Sequence, residues 1–123
     1  MKNVAKTTNN EEAFVNMDKT VLQDEKELKG WLVVLSGEWK GKDYPLFEGK
    51  TIVGSSHYAT IFLPDEQMEH YHFSIRFDKG DIIITDLDSE AGLYMGKKRI
   101  YREKITDETI FKTSGIEFLI KIL

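Results

Sequence analysis

The sequence predicts an all-β domain, and three observations lead there. Apolar runs are short and rich in Val, Ile, Leu and aromatic residues; glycine-containing turns separate them at close intervals; and no stretch sustains the 3.6-residue period of a long amphipathic helix. At 123 residues, 41% hydrophobic and 31% charged, the chain is long enough for one domain with a real core, and its composition is that of an ordinary soluble protein. The absence of Cys excludes disulfides, thiolate metal sites and a Cys nucleophile, which makes a reducing compartment the simpler expectation. No apolar run approaches the ~18 residues a membrane span needs, and the amino terminus lacks the apolar core of a signal peptide. A cytoplasmic protein with no membrane contact is therefore expected. A net charge of −4 gives no general attraction to a polyanion, so nucleic acid is not an expected partner.

Residues 1–29 are rich in Lys, Glu, Asp, Asn and Thr, with Val4, Phe14, Val15, Met17, Val21 and Leu22 at no sustained period. Too little apolar surface is available there to offset the entropy of ordering, which predicts a disordered amino-terminal tail ahead of a domain over residues 30–123. Within the tail, Asp18-Lys19-Thr20-Val21-Leu22-Gln23-Asp24-Glu25 sets Thr20 among acidic groups. The stretch reads as a solvated linker, or as a phosphorylation site at Thr20 or a short strand that docks on the domain's own surface.

Gly30 to Leu35 is β-prone and bounded by Gly30 and Ser36-Gly37, which fits a buried strand. Lys42 to Phe47 contains Pro45, which cannot donate a ladder hydrogen bond and so predicts an edge strand. Glu48-Gly49 turns the chain into a strand ending at Val53, and the loop Ser55 to Ala59 leads to a short strand from Thr60 to Leu63, stopped by Pro64-Asp65. Glu66 to Tyr71 is a polar loop. His72, Ser74 and Arg76 then alternate with Phe73, Ile75 and Phe77, and the second set is expected to face the core. Asp78-Lys79-Gly80-Asp81 is a hairpin turn into Ile82-Ile83-Ile84. After the loop Asp86 to Gly92, strands are expected at Leu93–Met95, Arg99–Tyr101, a short pair at Ile105 and Thr109–Lys112, and Ile116–Ile122. About ten or eleven strands in two packed sheets would bury these faces and gather the loops Ser55–Tyr58, Glu66–Tyr71 and Leu87–Gly92 at one end.

Those loops carry the informative motifs: Val53-Gly54-Ser55-Ser56, then Glu69-His70-Tyr71-His72, then Asp86-Leu87-Asp88-Ser89-Glu90-Ala91-Gly92. In order and spacing, from about Gly30 to Leu123, the chain resembles the forkhead-associated (FHA) domain, a phosphothreonine-peptide-binding β-sandwich. The family's pattern is Gly-Arg, Ser-Arg-x-His and Asp-Leu-x-Ser-x-Asn-Gly-Thr. The resemblance implies a structural role for Gly54, His72, Asp86 and Ser89, with Gly92 as a second turn glycine. It also implies that Ser55, Glu69 and Ala91 stand where the family has its phosphate-binding Arg, its phosphate-binding Ser and its peptide-holding Asn. His70 occupies the often basic position after that Ser.

A phosphate dianion needs a guanidinium fork, hydroxyls and backbone N–H groups on a rigid concave surface. Here the strong ligands are replaced, and Glu69 adds negative charge. The expectation is a divergent FHA module of bacterial type that is not an enzyme, needs no cofactor, and binds a protein or peptide partner, its own tail among them. Such modules regulate fused effectors such as a diguanylate cyclase or kinase. The alternative is an assembly module resembling type III secretion inner-ring cytoplasmic domains. A third reading keeps phosphothreonine binding, with Ser56, His57, His70 and backbone N–H groups as substitute ligands. His57, His70 and His72 also invite a metal reading, which the structural role implied for His72 disfavours. Lys97-Lys98-Arg99 reads as a solvated hairpin edge, or as a rim for an acidic partner. The sequence does not specify the oligomeric state.

Overall fold

The computed structural model describes residues 26–123, so Thr20 and nearly all of the expected tail lie outside the described residues. Of the expected tail, Lys26 and Glu27 lead straight into strand β1 (Leu28–Val34), which begins two residues ahead of Gly30. Ten further strands follow: β2 (Asp43–Phe47), β3 (Gly49–Gly54), β4 (Ile61–Phe62), β5 (Phe73–Asp78), β6 (Asp81–Asp86), β7 (Leu93–Met95), β8 (Lys98–Ile100), β9 (Arg102–Ile105), β10 (Ile110–Thr113) and β11 (Ile116–Ile122).

They form two sheets, five strands in the order β9-β6-β5-β3-β4 and six in the order β2-β1-β11-β10-β7-β8. All pairings are antiparallel except that of β3 with the two-residue β4. β2 closes one edge of the six-stranded sheet, where the donor that Pro45 lacks is not needed. The first and last strands among the described residues, β1 and β11, pair side by side inside that sheet.

Period-2 alternation explains the core. Leu32 and Val34, Phe73, Ile75 and Phe77, Ile82 and Ile84, and Phe118 and Ile120 all turn inward and are buried between the sheets. Phe73 from one sheet meets Phe111 and Phe118 from the other edge-on, at centroid distances of 5.3 and 5.6 Å, while Phe111 and Phe118 stack on each other at 5.2 Å. This trio ties the layers together at the end where the motif loops leave the strands.

Two expectations need correction. His72 and Ser74 are buried along with the core set, so the solvent face of β5 starts only at Arg76. The strand expected over Arg99–Tyr101 is instead Lys98–Ile100, after which the chain crosses from the six-stranded to the five-stranded sheet and continues as β9. Ile100 is buried, and the Tyr101 carbonyl accepts from Asp86 N–H at 2.8 Å, which fixes the corner.

Candidate functional site

Three loops meet at one end of the sandwich, and backbone hydrogen bonds stitch the first two together. Ser55 N–H donates to the Glu69 carbonyl at 2.9 Å and Ser56 N–H to the His70 carbonyl at 3.2 Å. The approach is so close that a Cβ on Gly54 would stand 2.0 Å from the His70 carbonyl oxygen, so only glycine fits there. The Ser55 hydroxyl donates to the Met68 carbonyl at 3.0 Å, and the Ser56 hydroxyl accepts from Tyr58 N–H at 3.0 Å and lies 3.4 Å from the Tyr71 hydroxyl. The Ser55 and Ser56 amides and the Ser55 hydroxyl are therefore spent on loop structure. Of the substitute ligands named for a lost Arg, those two N–H groups already have partners within the loops.

His72 is the hub. Its Nδ1 accepts from Glu69 N–H at 3.0 Å, which places the ring proton on Nε2, and Nε2–H donates to Thr113 Oγ1 at 2.8 Å. The Thr113 hydroxyl in turn donates to the Gly92 carbonyl at 2.7 Å. One relay thus links the second loop, the six-stranded sheet and the third loop. Burial pushes the imidazole below its ordinary value, against the opposing pull of Glu69 and Asp86. With both ring nitrogens engaged, His72 offers no lone pair to a metal. His57 is occupied elsewhere, its ring stacked on Phe62 at 4.4 Å. Among the described residues no three His, Asp or Glu side chains are grouped to hold an ion.

The third loop shapes itself. Asp86 Oδ1 accepts from Ser89 N–H at 3.2 Å and Ser89 Oγ from Gly92 N–H at 3.0 Å, while Gly92 takes a φ of +79°. Lys97, Lys98 and Arg99 lie exposed at the sheet edge as expected, but the Arg99 side chain also folds back over this loop. Its guanidinium lies 3.8 Å from the buried Asp86 carboxylate and 3.4 Å from the Ser89 carbonyl, over the Tyr101 ring, and a Cβ on Gly92 would come within 2.7 Å of it. Sequence reading missed Arg99, Thr113 and Tyr71 as site residues. A charged residue beside two lysines gives no sign of such a partner.

Glu69 makes the contact that bears most on ligand chemistry. Its Oε2 accepts from the Glu90 backbone N–H at 2.7 Å, bridging the second and third loops. The adjoining concavity, lined by Ser55, Asp65, Glu66, Glu69, His70 and Tyr71 among others, collects three carboxylates against one imidazole. Ala91 lies exposed next to Glu69 and Glu90 and contributes no polar group. The loops thus bring Ser55, Ser56, Glu69, His70, Ala91 and Gly92 to one end, with an electrostatic character opposite to that of an anion site.

Known proteins place this arrangement. Over 82 residues, 67% of this chain, the sequence is 26% identical to the FHA domain-containing protein FhaA of Mycobacterium tuberculosis, and the matched stretch covers only 16% of that protein. An FHA domain studied for phosphothreonine-dependent interactions superposes with a TM-score of 0.69 at 24% identity, covering 77% of this chain and 97% of that one. The FhaA FHA domain, solved in complex with the intracellular domain of another protein, gives 0.66 at 25% identity over 74% and 98% of the two chains. The FHA domain of CT664 protein from Chlamydia trachomatis gives 0.68 at 25% identity over 76% and 96%. FHA domains are protein-interaction modules and are generally not enzymes. Residues 33–121 match the family described as the inner membrane component of T3SS, cytoplasmic domain (Yop-YscD). The chain belongs to that family, which is of the FHA type.

Proposed function

We propose that this chain is a non-catalytic, cytoplasmic protein-interaction module whose phosphothreonine site is closed by its own carboxylate, and that it assembles with protein partners without a phosphate requirement. The observation that carries this reading is the Glu69 carboxylate accepting the Glu90 N–H at 2.7 Å. A backbone donor that could face an incoming phosphate is taken by a built-in anion, and Asp65 and Glu66 stand beside it. Like charges 4 Å apart at an effective dielectric of ~20 repel by up to about 4 kcal/mol, roughly half of the ~8 kcal/mol of a micromolar complex. Membership in a secretion-assembly family agrees with a scaffold role, the second of the readings the sequence suggests. No helix among the described residues is long and apolar enough to cross a membrane. The match to a small part of FhaA fits a module that works within larger proteins, where it would regulate a joined effector by contact.

The decisive experiment titrates matched phosphothreonine and unmodified peptides into the domain and into a variant carrying Ser55→Arg and Glu69→Ser. The unaltered chain is expected to bind both forms no tighter than about 1 mM, and the variant to favour the phosphorylated form at least ten-fold. Micromolar binding by the unaltered chain that a phosphatase abolishes would defeat the proposal and favour substitute ligands such as His70.

A further inference from the structure

The outer face of the five-stranded sheet carries a charge pattern that the loop site does not explain. Strand register places Lys50, Arg76, Ile83 and Lys104 in one continuous row across β3, β5, β6 and β9, with Arg102 in the next row. Apart from Asp78 and Asp81 at the hairpin end, alternation puts no carboxylate of these strands on this face. Lys104 pairs with Asp81 at 3.3 Å. Among the described residues, no carboxylate lies within ion-pair distance of Lys50, Arg76 or Arg102. Lys50 and Arg76 stand directly opposite each other, an arrangement that destabilises a bare sheet and that a bound anion relieves. This happens in a chain whose net charge is −4, so the cations are concentrated against the overall balance.

The complementary charge lies in the chain itself. Residues 11–25 hold five carboxylates, Glu11, Glu12, Asp18, Asp24 and Glu25, against one lysine, Lys19. They also hold Phe14, Val15, Met17, Val21 and Leu22, apolar groups that could cover Ile83 and Ile52, which are only partly buried on the same face. The connection runs the right way. Glu27, Leu28 and Lys29 line a concavity with the core-facing Phe77 and Ile82 and the turn residue Gly80, so the described chain begins at the hairpin end of the five-stranded sheet, around the β5–β6 turn from Arg76 and Ile83. A coil of the length of residues 11–25 has an r.m.s. span of roughly 20 Å, which matches the roughly 19 Å across five strands spaced ~4.8 Å apart.

We infer that the outer face of the five-stranded sheet is the docking surface for the chain's own acidic segment, residues 11–25, held by the Lys50, Arg76, Lys104 and Arg102 cations. The contact does not involve the loop site, and its test does not depend on whether phosphate is recognised there. Tethering supplies an effective concentration near millimolar, enough for a weak electrostatic contact to be substantially populated in cis.

Because the chain has no Cys, Met17→Cys gives a single attachment point for a nitroxide on the full-length protein. The expected result is selective broadening of the amide resonances of Lys50, Arg76, Ile83 and Lys104. That broadening should fade at about 0.5 M salt and fall several-fold in a chain that also carries Lys50→Glu and Arg76→Glu, both at exposed positions. Broadening of Val33, Leu119 and Ile110 on the other sheet, of the loop site, or of no residue would overturn the inference, as would indifference to charge reversal. A mixture of nitroxide-bearing and isotope-labelled chains gives the remaining control. Transfer of the broadening between molecules would also overturn docking in cis.

Discussion

His72 shows how one side chain can couple loop geometry to pH. Its neutral ring accepts from Glu69 N–H and donates to Thr113; a proton added at Nδ1 would set two donors against each other and release the second loop. Burial lowers its folded-state pKa below the ordinary ~6.5. Between the folded value and ~6.5 the unfolded chain therefore binds more protons than the folded one, so stability rises with pH in that window. The contribution is complete above about pH 6.5 and is lost as pH falls through the folded value. Thermal unfolding should shift to lower temperature as the pH is taken from 7.5 to 5.5, and the His72 ring resonance should titrate below that of a free histidine. A His72 resonance titrating at or above the free value would contradict this. Gly54, Asp86 and Ser89 were marked in the sequence by the resemblance to the FHA motifs; Asp86 and Ser89 then work locally, as an Asx turn and a hydroxyl cap, while Gly54 admits the His70 carbonyl from the neighbouring loop. Thr113 was not legible. It lies 41 residues from His72, and only the packing of two sheets makes them partners.

Strands were readable where one face is apolar, and less so where charge dominates. β5 and β6 announce themselves by alternation or by continuous Ile, and their Lys79-Gly80 turn takes positive φ at both residues, 52° and 88°, as a type I′ hairpin requires. β9 hides because Arg102-Glu103-Lys104 resembles a loop, with only Ile105 pointing to burial, and because nothing local says that the chain changes sheets at Tyr101. The same hairpin offers a test at this scale. Lysine tolerates φ of +52° poorly, whereas Asn-Gly is the preferred pair for this turn. Lys79→Asn should therefore stabilise the domain by about 0.5 kcal/mol, raising the melting temperature by ~2–4 °C. Lys79 is exposed and lies on the hairpin away from the motif loops, so peptide titrations should not change. A lowered melting temperature would mean that the lysine makes a stabilising contact that the turn geometry does not reveal.

At the scale of the molecule, the order of strands determines how the domain can form. β1 lies between β2 and β11, so the central pairing of the six-stranded sheet joins residues near 30 to residues near 120. The aromatic trio has the same character, since Phe73 meets Phe111 and Phe118 only once both sheets exist. The β5–β6, β7–β8 and β10–β11 hairpins can form locally. The pairing of β1 with β11 and the packing of the two sheets wait for long loops to close, and that entropy must be met before the core forms. The expectation is slow, cooperative folding in the millisecond-to-second range, as in other sandwiches dominated by non-local pairing. Unfolding of either sheet should take the loop site with it, because His72 of one layer is bonded to Thr113 of the other. Stopped-flow refolding of the full chain, followed by Trp31 and Trp39 fluorescence, checks the rate, and amide signals of Glu69 and Gly92 check the coupling. A microsecond phase carrying most of the amplitude, or loop amides that melt before the strands, would show that one sheet stands alone. The tie between His72 and Thr113 would then be decoration on an independent layer rather than a joint between two interdependent ones.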